Sequence, residues 1–288
     1  MPKAKRKAVK HVVGSLGLSQ QRAYGLLELA VSSYYYQPQK RDDAALRKRI
    51  LELCEQRKRF GQFRIYVMLR REGFLVNHKR VARIYREEGL QVRRRRRKKM
   101  AAAVRVPLPA PDKANMRWSM DFVMDVVSGG RRIRVLAVVD DFTRECLAVE
   151  VDSSIGGARV ARVLDRIIEF RGKPEGITVD NGPEFAGRAL DSWAYRNKVR
   201  LEFIRPGKPV ENAYIESFNG RLRDECLNGN EFISLREAQA VIESWREDYN
   251  DQRPHGSLGH LTPTEFALLE AKKLQTNCTQ FLTRTTLQ

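Results

Sequence analysis

The sequence predicts an α/β protein in which a mixed sheet covered by helices follows an all-α region. Apolar residues recur at helical spacing through much of residues 19–90, and from Arg117 the pattern changes to strands in hairpin connection followed by alternating helices and strands. The charge divides near the same place. Residues 1–100 hold 28 Lys and Arg against 8 Asp and Glu, whereas the remainder holds 26 against 27. The whole net charge of +19 therefore belongs to the first third, which points to a polyanionic partner there and leaves a nearly neutral globular part with another task.

Taken in order, Ser15 to Tyr36 reads as two short helices. Ser19 caps one that carries Ala23, Leu26 and Leu27, and the SSYYY stretch starts another. A helix-turn-helix has this outline, and so does any small three-helix core. In the next block Ala44 to Gln56 is apolar at Leu46, Ile50 and Leu53, a helix from Phe63 to Arg71 follows, and Asn77 caps a third running to Gly89. Lys79, Arg80, Arg83 and Arg86 on that third helix are candidates for DNA contact, with solvated surface as the alternative. Arg93 to Lys99 is an unbroken basic run that includes Arg94, Arg95, Arg96 and Arg97, and three prolines lie between Val106 and Asp112. Seven like charges repel one another too strongly for a packed helix, yet they can neutralise phosphates; the alternative is an inert solvated linker. The expected division is a basic helix-turn-helix-like segment over 1–40, a helical DNA-binding region over 41–92, a linker over 93–114, a core with its C-terminal helices over 115–270 and a tail over 271–288.

In the core, Trp118, Met120, Phe122, Met124 and Val126 alternate with Ser119, Asp121, Val123 and Asp125, the period of a half-buried strand with Asp121 on its side away from the core. Gly129 and Gly130 make a turn, Val135 to Val139 suits a central strand, and Cys146 to Val151 forms a third. A helix over Gly157 to Phe170 ends at Gly172, the short strand Gly176 to Val179 delivers Asp180, a helix begins near Glu184, and Leu201 to Ile204 is the last strand. A long helix then spans Glu211 to Leu227. On it Asn212, Glu216, Asn219 and Arg223 share one face, with Tyr214, Phe218, Leu222 and Cys226 opposite and packed on the sheet.

Asp121 in a strand, Asp180 at a strand's end and Glu216 on a packed helix can converge at one edge of a sheet. Three such charges repel and raise one another's pKa unless cations neutralise them, and all-oxygen ligation selects hard ions: Mg²⁺, with Mn²⁺ as substitute. Two ions roughly 4 Å apart could activate a water or sugar hydroxyl on one side of a phosphodiester and stabilise the leaving oxygen on the other.

The segments RWSMDF around Asp121, TVDNGPEF around Asp180 and ENAYIESFNGRLRDE around Glu216 resemble the three motifs of the DDE transposases and retroviral-type integrases, most closely the OrfB-type protein of the bacterial insertion-sequence-three family. The 35 residues between Asp180 and Glu216 match that family's spacing, Arg223 matches its basic residue seven after the glutamate, and YNDQRPHGSLGHLTPTEF (Tyr249 to Phe266) looks like its C-terminal motif. The resemblance covers most of the chain. It implies a ribonuclease-H-like core, Asp121, Asp180 and Glu216 as catalytic metal ligands, and Arg223 against a phosphate at the element's end. It further implies strand cleavage that frees a 3′ hydroxyl and strand transfer by that hydroxyl.

Double-stranded DNA is the expected partner, as element ends and target, in a homo-multimer. Asn219 and Asn181 are further DNA candidates, Asn181 and Gly182 also shaping the turn that aims Asp180. Asp140 and Asp141 are assigned to turn structure, Asp125 shares Asp121's strand face, and His255 either touches DNA or stabilises a turn. No sustained heptad of apolar a and d residues precedes residue 44, so a first-frame product that brings end recognition and multimerisation is a further candidate partner. A non-catalytic DNA-binding regulator is the competing class. No apolar run spans a bilayer, and the four cysteines are scattered with no CxxC pair; the expectation is a soluble, cytoplasmic, nucleoid-associated protein with reduced thiols and neither disulfide nor zinc.

Overall fold

A computed structural model describes residues 2–37, 42–92, 110–205 and 212–285. By its contacts the chain divides into two compact units, Met1–Arg49 and Ile50–Gln288, with the boundary inside one helix. The first unit holds α1 (Pro2–Leu16), α2 (Gln20–Leu26) and α3 (Val31–Tyr35). Ser19 caps α2 as the sequence predicts, accepting from the Arg22 amide. α1 was not anticipated. Its four lysines and one arginine mask an apolar stripe, in which Val9 is fully buried and Val12 and Val13 pack beside it against Ala23, Tyr24 and Leu29.

α4 (Ala44–Gln56) crosses the boundary, and α5 (Gln62–Arg71) and α6 (His78–Glu87) follow. The Asn77 side chain caps α6 at the Lys79 amide, so the three expected helices form with their boundaries within a residue or two.

The core is a five-stranded mixed sheet in the order β3-β2-β1-β4-β5, a ribonuclease-H-like arrangement. β1 (Arg117–Val126), β2 (Arg132–Asp140) and β3 (Cys146–Asp152) form an antiparallel meander, and β4 (Gly176–Val179) and β5 (Arg200–Phe203) add parallel to β1. α7 (Gly157–Arg171) and α8 (Arg188–Asn197) cover one face, where Trp118, Met120, Leu136, Ile177 and Trp193 are completely buried. α9 (Ala213–Glu225) and α10 (Leu235–Asp251) cover the other, burying Val135, Ala137, Ile215, Phe218 and Ile242. The expectation of a one-sided first strand is therefore corrected: Val123 is as buried as Met120, and Asp121 points into the layer beneath α9. Alternation along β1 tells which residues share a face, but both faces lie under helices, so it does not tell that the face of Asp121 is covered.

α8 starts four residues later than expected, because Pro183 to Gly187 is spent on a turn. α11 (Pro263–Thr285) runs straight through the boundary expected at residue 270. Its first turn is a reciprocal capping box: Glu265 N donates to Thr262 Oγ1, and Thr262 N donates to Glu265 Oε2. Among the described residues no helix is long and apolar enough to cross a membrane.

The C-terminal motif fastens helices together. Asn250 donates to the Cys146 carbonyl and accepts from the Cys146 amide, both at 2.9 Å, next to the β2–β3 register shift on the edge strand. Arg253 is 2% exposed and grips Glu225 of α9 with two nitrogens. His255 is buried edge-on against Tyr249, and its backbone closes the turn through Leu261 O and the His260 amide. Upstream, Asp248 takes Arg57, Asp224 takes Arg59 and Glu265 takes Arg71, so four acids of α9–α11 hold arginines from other segments of this unit.

Candidate active site

Strand register sets the two aspartates side by side. β1 and β4 run parallel with Arg117 opposite Gly176, Trp118 opposite Ile177 and Ser119 opposite Thr178. Carried two residues further, that offset puts Asp121 beside Asp180 on neighbouring strands. Asp121 is two residues past Ser119 and Asp180 two past Thr178, so both lie on the face opposite Trp118 and Ile177, which pack under α7 and α8. Glu216 comes to the same end from above, in the first turn of α9.

Each aspartate is oriented locally. Asp121 accepts from the Phe122 amide at 2.7 Å and from Asn219 Nδ2 at 2.9 Å. Asp180 accepts from the Gly182 amide at 2.9 Å. A Cβ at Gly182 would stand 2.9 Å from Asp180 Oδ1 and 3.3 Å from a Glu184 oxygen, so a larger residue there would shift the Asp180 carboxylate. Glu184 in turn pairs with Arg134, whose guanidinium lies over the Phe122 ring, and Phe122 stacks on Phe185. The turn after β4 is thus bound to β1 and β2 by an ion pair and an aromatic stack.

Electrostatics show the three acids to be neighbours. Burial pushes the Asp121 carboxyl up to about 6, and the negative charges of Asp180 and Glu216 add to the rise against the two hydrogen bonds, which favour the charged form. Among the described residues no three acid, His or Cys side chains are close enough together to hold one ion. The Oδ1 of Asn219, beside Asp121, is buried with no partner among the described residues, as are Thr178 Oγ1 and Asn212 Oδ1 in the same layer. Asp121, Glu216, Asn219, Gly220 and Arg223 line a cavity of about 310 Å³.

Beneath the site Asp141 accepts from Arg117 Nε and from Ser119 Oγ, both at 2.7 Å, and Asp140 caps its own turn by accepting from the Asn115, Phe142 and Thr143 amides. These two acids are structural, as the sequence suggests. Asp125 accepts from the Val126 amide four residues along β1 from Asp121.

Asn219 differs from expectation. It is 8% exposed and turned inward to Asp121, not outward with Glu216 and Arg223, and Asn212 is buried as well. The stripe of α9 that meets the sheet is Ile215, Phe218, Asn219 and Leu222. A spacing of four drifts around a helix of 3.6 residues per turn, so Tyr214 rotates off the packed face and Ile215 takes its place. The Asn181 amide donates to the Ile204 carbonyl at 2.9 Å, tying the ends of β4 and β5 together. Arg223 is exposed at the cavity rim; on α6 Lys79 is exposed, Arg83 pairs with Glu87 and Arg80 is half-buried. Arg94, Arg95, Arg96 and Arg97 lie outside the described residues. The inward asparagine had a weak signal in the sequence: an amide three residues after the glutamate, on the helix that crosses Asp121's strand.

Two integrase core domain models match residues 111–209 and 197–263, and an HTH-like domain model matches residues 40–98. The chain is 50% identical over 253 residues to the insertion element IS407 uncharacterized 31.7 kDa protein of Burkholderia multivorans, covering 88% of this chain and 91% of that one. It is 24% identical over 263 residues to transposase InsF for insertion sequence IS3A of Escherichia coli, covering 84% and 91%. Among solved structures, the HTLV-2 integrase catalytic core domain in complex with magnesium aligns with a TM-score of 0.44 at 17% identity, over 53% of this chain and 96% of that one.

Proposed function

The chain belongs to the OrfB-type transposases of the bacterial insertion-sequence-three family and acts in DNA transposition and integration, and from that premise we propose that Asp121, Asp180 and Glu216 are its catalytic carboxylates. The observation that carries the assignment is the β1–β4 register, which sets Asp121 within β1 beside Asp180 at the end of β4, under the helix that bears the glutamate.

The donor set suits a hard divalent cation: three carboxylates with no nitrogen or sulfur ligand, and a buried asparagine oxygen with no partner among the described residues. Two Mg²⁺ ions, or Mn²⁺ in their place, would supply Lewis-acid charge for an in-line displacement at phosphorus. The chain's own residues do the positioning. Asn219 and the Phe122 amide fix the Asp121 carboxylate, the Gly182 amide fixes Asp180, and Arg223 at the cavity rim is placed to meet a phosphate of the bound strand.

Double-stranded DNA is the substrate, as element ends and as target. Lys79, Arg80 and Arg83 of α6 and the basic run around Arg94 to Arg97 give the sequence-independent part of binding. A homo-multimer on DNA, and a first-frame product that supplies end recognition, complete the proposed assembly. The proposed domain division keeps 1–40, 41–92, 93–114, 115–270 and 271–288 as units of function, although residues 50–92 pack with the core.

The test is cleavage and joining of labelled DNA carrying the element's ends, with Mg²⁺ or Mn²⁺, by this chain and by its fusion to the upstream reading frame. Activity that disappears in each of Asp121→Asn, Asp180→Asn and Glu216→Gln supports the assignment. Activity retained in any of them removes that residue from the catalytic set. DNA binding without activity in both proteins favours the regulator.

A further inference from the structure

A second depression adjoins the first. It measures about 940 Å³ and lies between the start of α5, the outer face of α9 and the turn of the C-terminal motif, with Gln62, Phe63, Arg221 and His260 among its lining. Glu216 and Gly220 line both depressions, so the two meet across α9 at those residues. Gly220 sits in the middle of the helix, where glycine is unfavourable, and a Cβ there would meet nothing within 4 Å. The missing side chain leaves the crossing open.

Among the described residues, Arg221 is the arginine of this groove that makes no ion pair. Asp224 is taken by Arg59, and Glu225 by Arg253 with Arg64 nearby. Arg221 is half-buried, and its only hydrogen bonds among the described residues run from one terminal nitrogen to the carbonyl and hydroxyl of Ser217. That leaves the other terminal nitrogen and Nε as donors, beside carboxylates already neutralised. Phe63 stands in the groove 46% exposed and packed on the His260 ring, a flat surface that an unpaired base can stack on.

We propose that this groove takes one DNA strand as it leaves the reaction centre, the backbone crossing α9 over Gly220 and a phosphate bound by Arg221. This rests on the transposase reading and adds to it a strand path and a phosphate contact distinct from Arg223. An arginine that binds one phosphate releases about one counterion, so its loss lowers the slope of log affinity against log salt by about 0.7 to 0.9. Loss of a hydrogen-bonded charge pair also weakens binding by roughly tenfold.

The experiment measures binding of the full-length chain to a labelled duplex with a single-stranded 3′ extension across a salt series without divalent metal, so it does not depend on catalysis. Arg221→Gln is expected to lose about one unit of slope and roughly tenfold in affinity, Arg221→Lys to keep the slope, and Gly220→Trp to lose affinity for the extended DNA while Gly220→Ala keeps it. Thermal unfolding of each variant checks the fold. An unchanged slope in folded Arg221→Gln, or wild-type affinity in folded Gly220→Trp, overturns the proposal. A lowered slope together with cleavage that survives Asp121→Asn would keep the strand path and remove the catalytic assignment instead.

Discussion

Replacing Arg253 by methionine should destabilise the second unit by about 3 kcal/mol, and the reason lies in what the substitution leaves behind. Arg253 is 2% exposed and bonds both oxygens of Glu225, at 2.7 and 2.6 Å. Removing one partner of a buried pair typically costs about 3–5 kcal/mol, because the remaining charge keeps its desolvation penalty without its counter-ion. Here the low end applies: Arg64 stands 3.6 Å from Glu225 and can compensate in part. Methionine replaces most of the arginine's volume, so little of the loss comes from a cavity. All three tryptophans, Trp118, Trp193 and Trp245, lie beyond residue 50, so their fluorescence in urea follows this unit alone. The pair is then tested by a cycle. Glu225→Leu alone strands the arginine and should cost a similar amount, whereas the double variant should cost at least about 2 kcal/mol less than the sum. Additivity within about 0.5 kcal/mol would refute the reasoning and show that Arg253 contributes by packing alone.

Four further outcomes follow from the geometry. Asn219→Ala should keep the fold and lower DNA cleavage roughly 10- to 100-fold, because Asp121 loses a hydrogen bond to a charged group, worth about 1.5–3 kcal/mol; equal rates in a single-turnover assay would remove Asn219 from the positioning role. Gly182→Ala should reduce cleavage while leaving DNA affinity unchanged, since its Cβ would displace Asp180 Oδ1, and a crystal structure with Asp180 unmoved would contradict this. Burial, with Arg253 and Arg221 nearby, lowers the His255 pKa to about 2 from the ordinary 6.5. The unfolded chain then takes up a proton that the folded one refuses, so stability falls as pH drops below 6.5, by up to about 1.4 kcal/mol per unit; that slope between pH 6.5 and 5 should shrink in His255→Asn. Gly220→Ala should raise stability by about 0.5–1 kcal/mol, the ordinary gain at an exposed helical glycine with open space around it, and a loss of stability would mean that the position is not open.

The three candidate acids were readable in the sequence because the surroundings of each are local. A strand leading into Asp180, a glycine two residues on and a glutamate on an amphipathic helix are each short-range patterns, and their combination is specific. Most helix and strand boundaries were legible for the same reason: Ser19 and Asn77 are caps whose partners sit two or three residues away. α1 escaped because its lysines and arginine are interspersed with its apolar residues, and its helix is justified by contacts with Ala23 and Tyr24 in the following segment.

By itself, then, the sequence determined an α/β core with three candidate acids, a basic leading third and a motif-bearing C-terminal segment. Only the tertiary structure decided what those pieces face. Whether Asp121 lies on a wet or a covered side depends on α9 and α10 arriving from about a hundred residues later in the chain. Asn219 turns inward because Asp121 offers an acceptor beneath it. The C-terminal motif fastens Cys146 and Glu225 through partners 104 and 28 residues away. Arg221 is distinguished from the arginines around it only by which of them have carboxylates within reach. Sequence periodicity records which way a side chain points along its own element, but the partner that sets its charge, burial and task is supplied by chain folding across distances that no local pattern encodes.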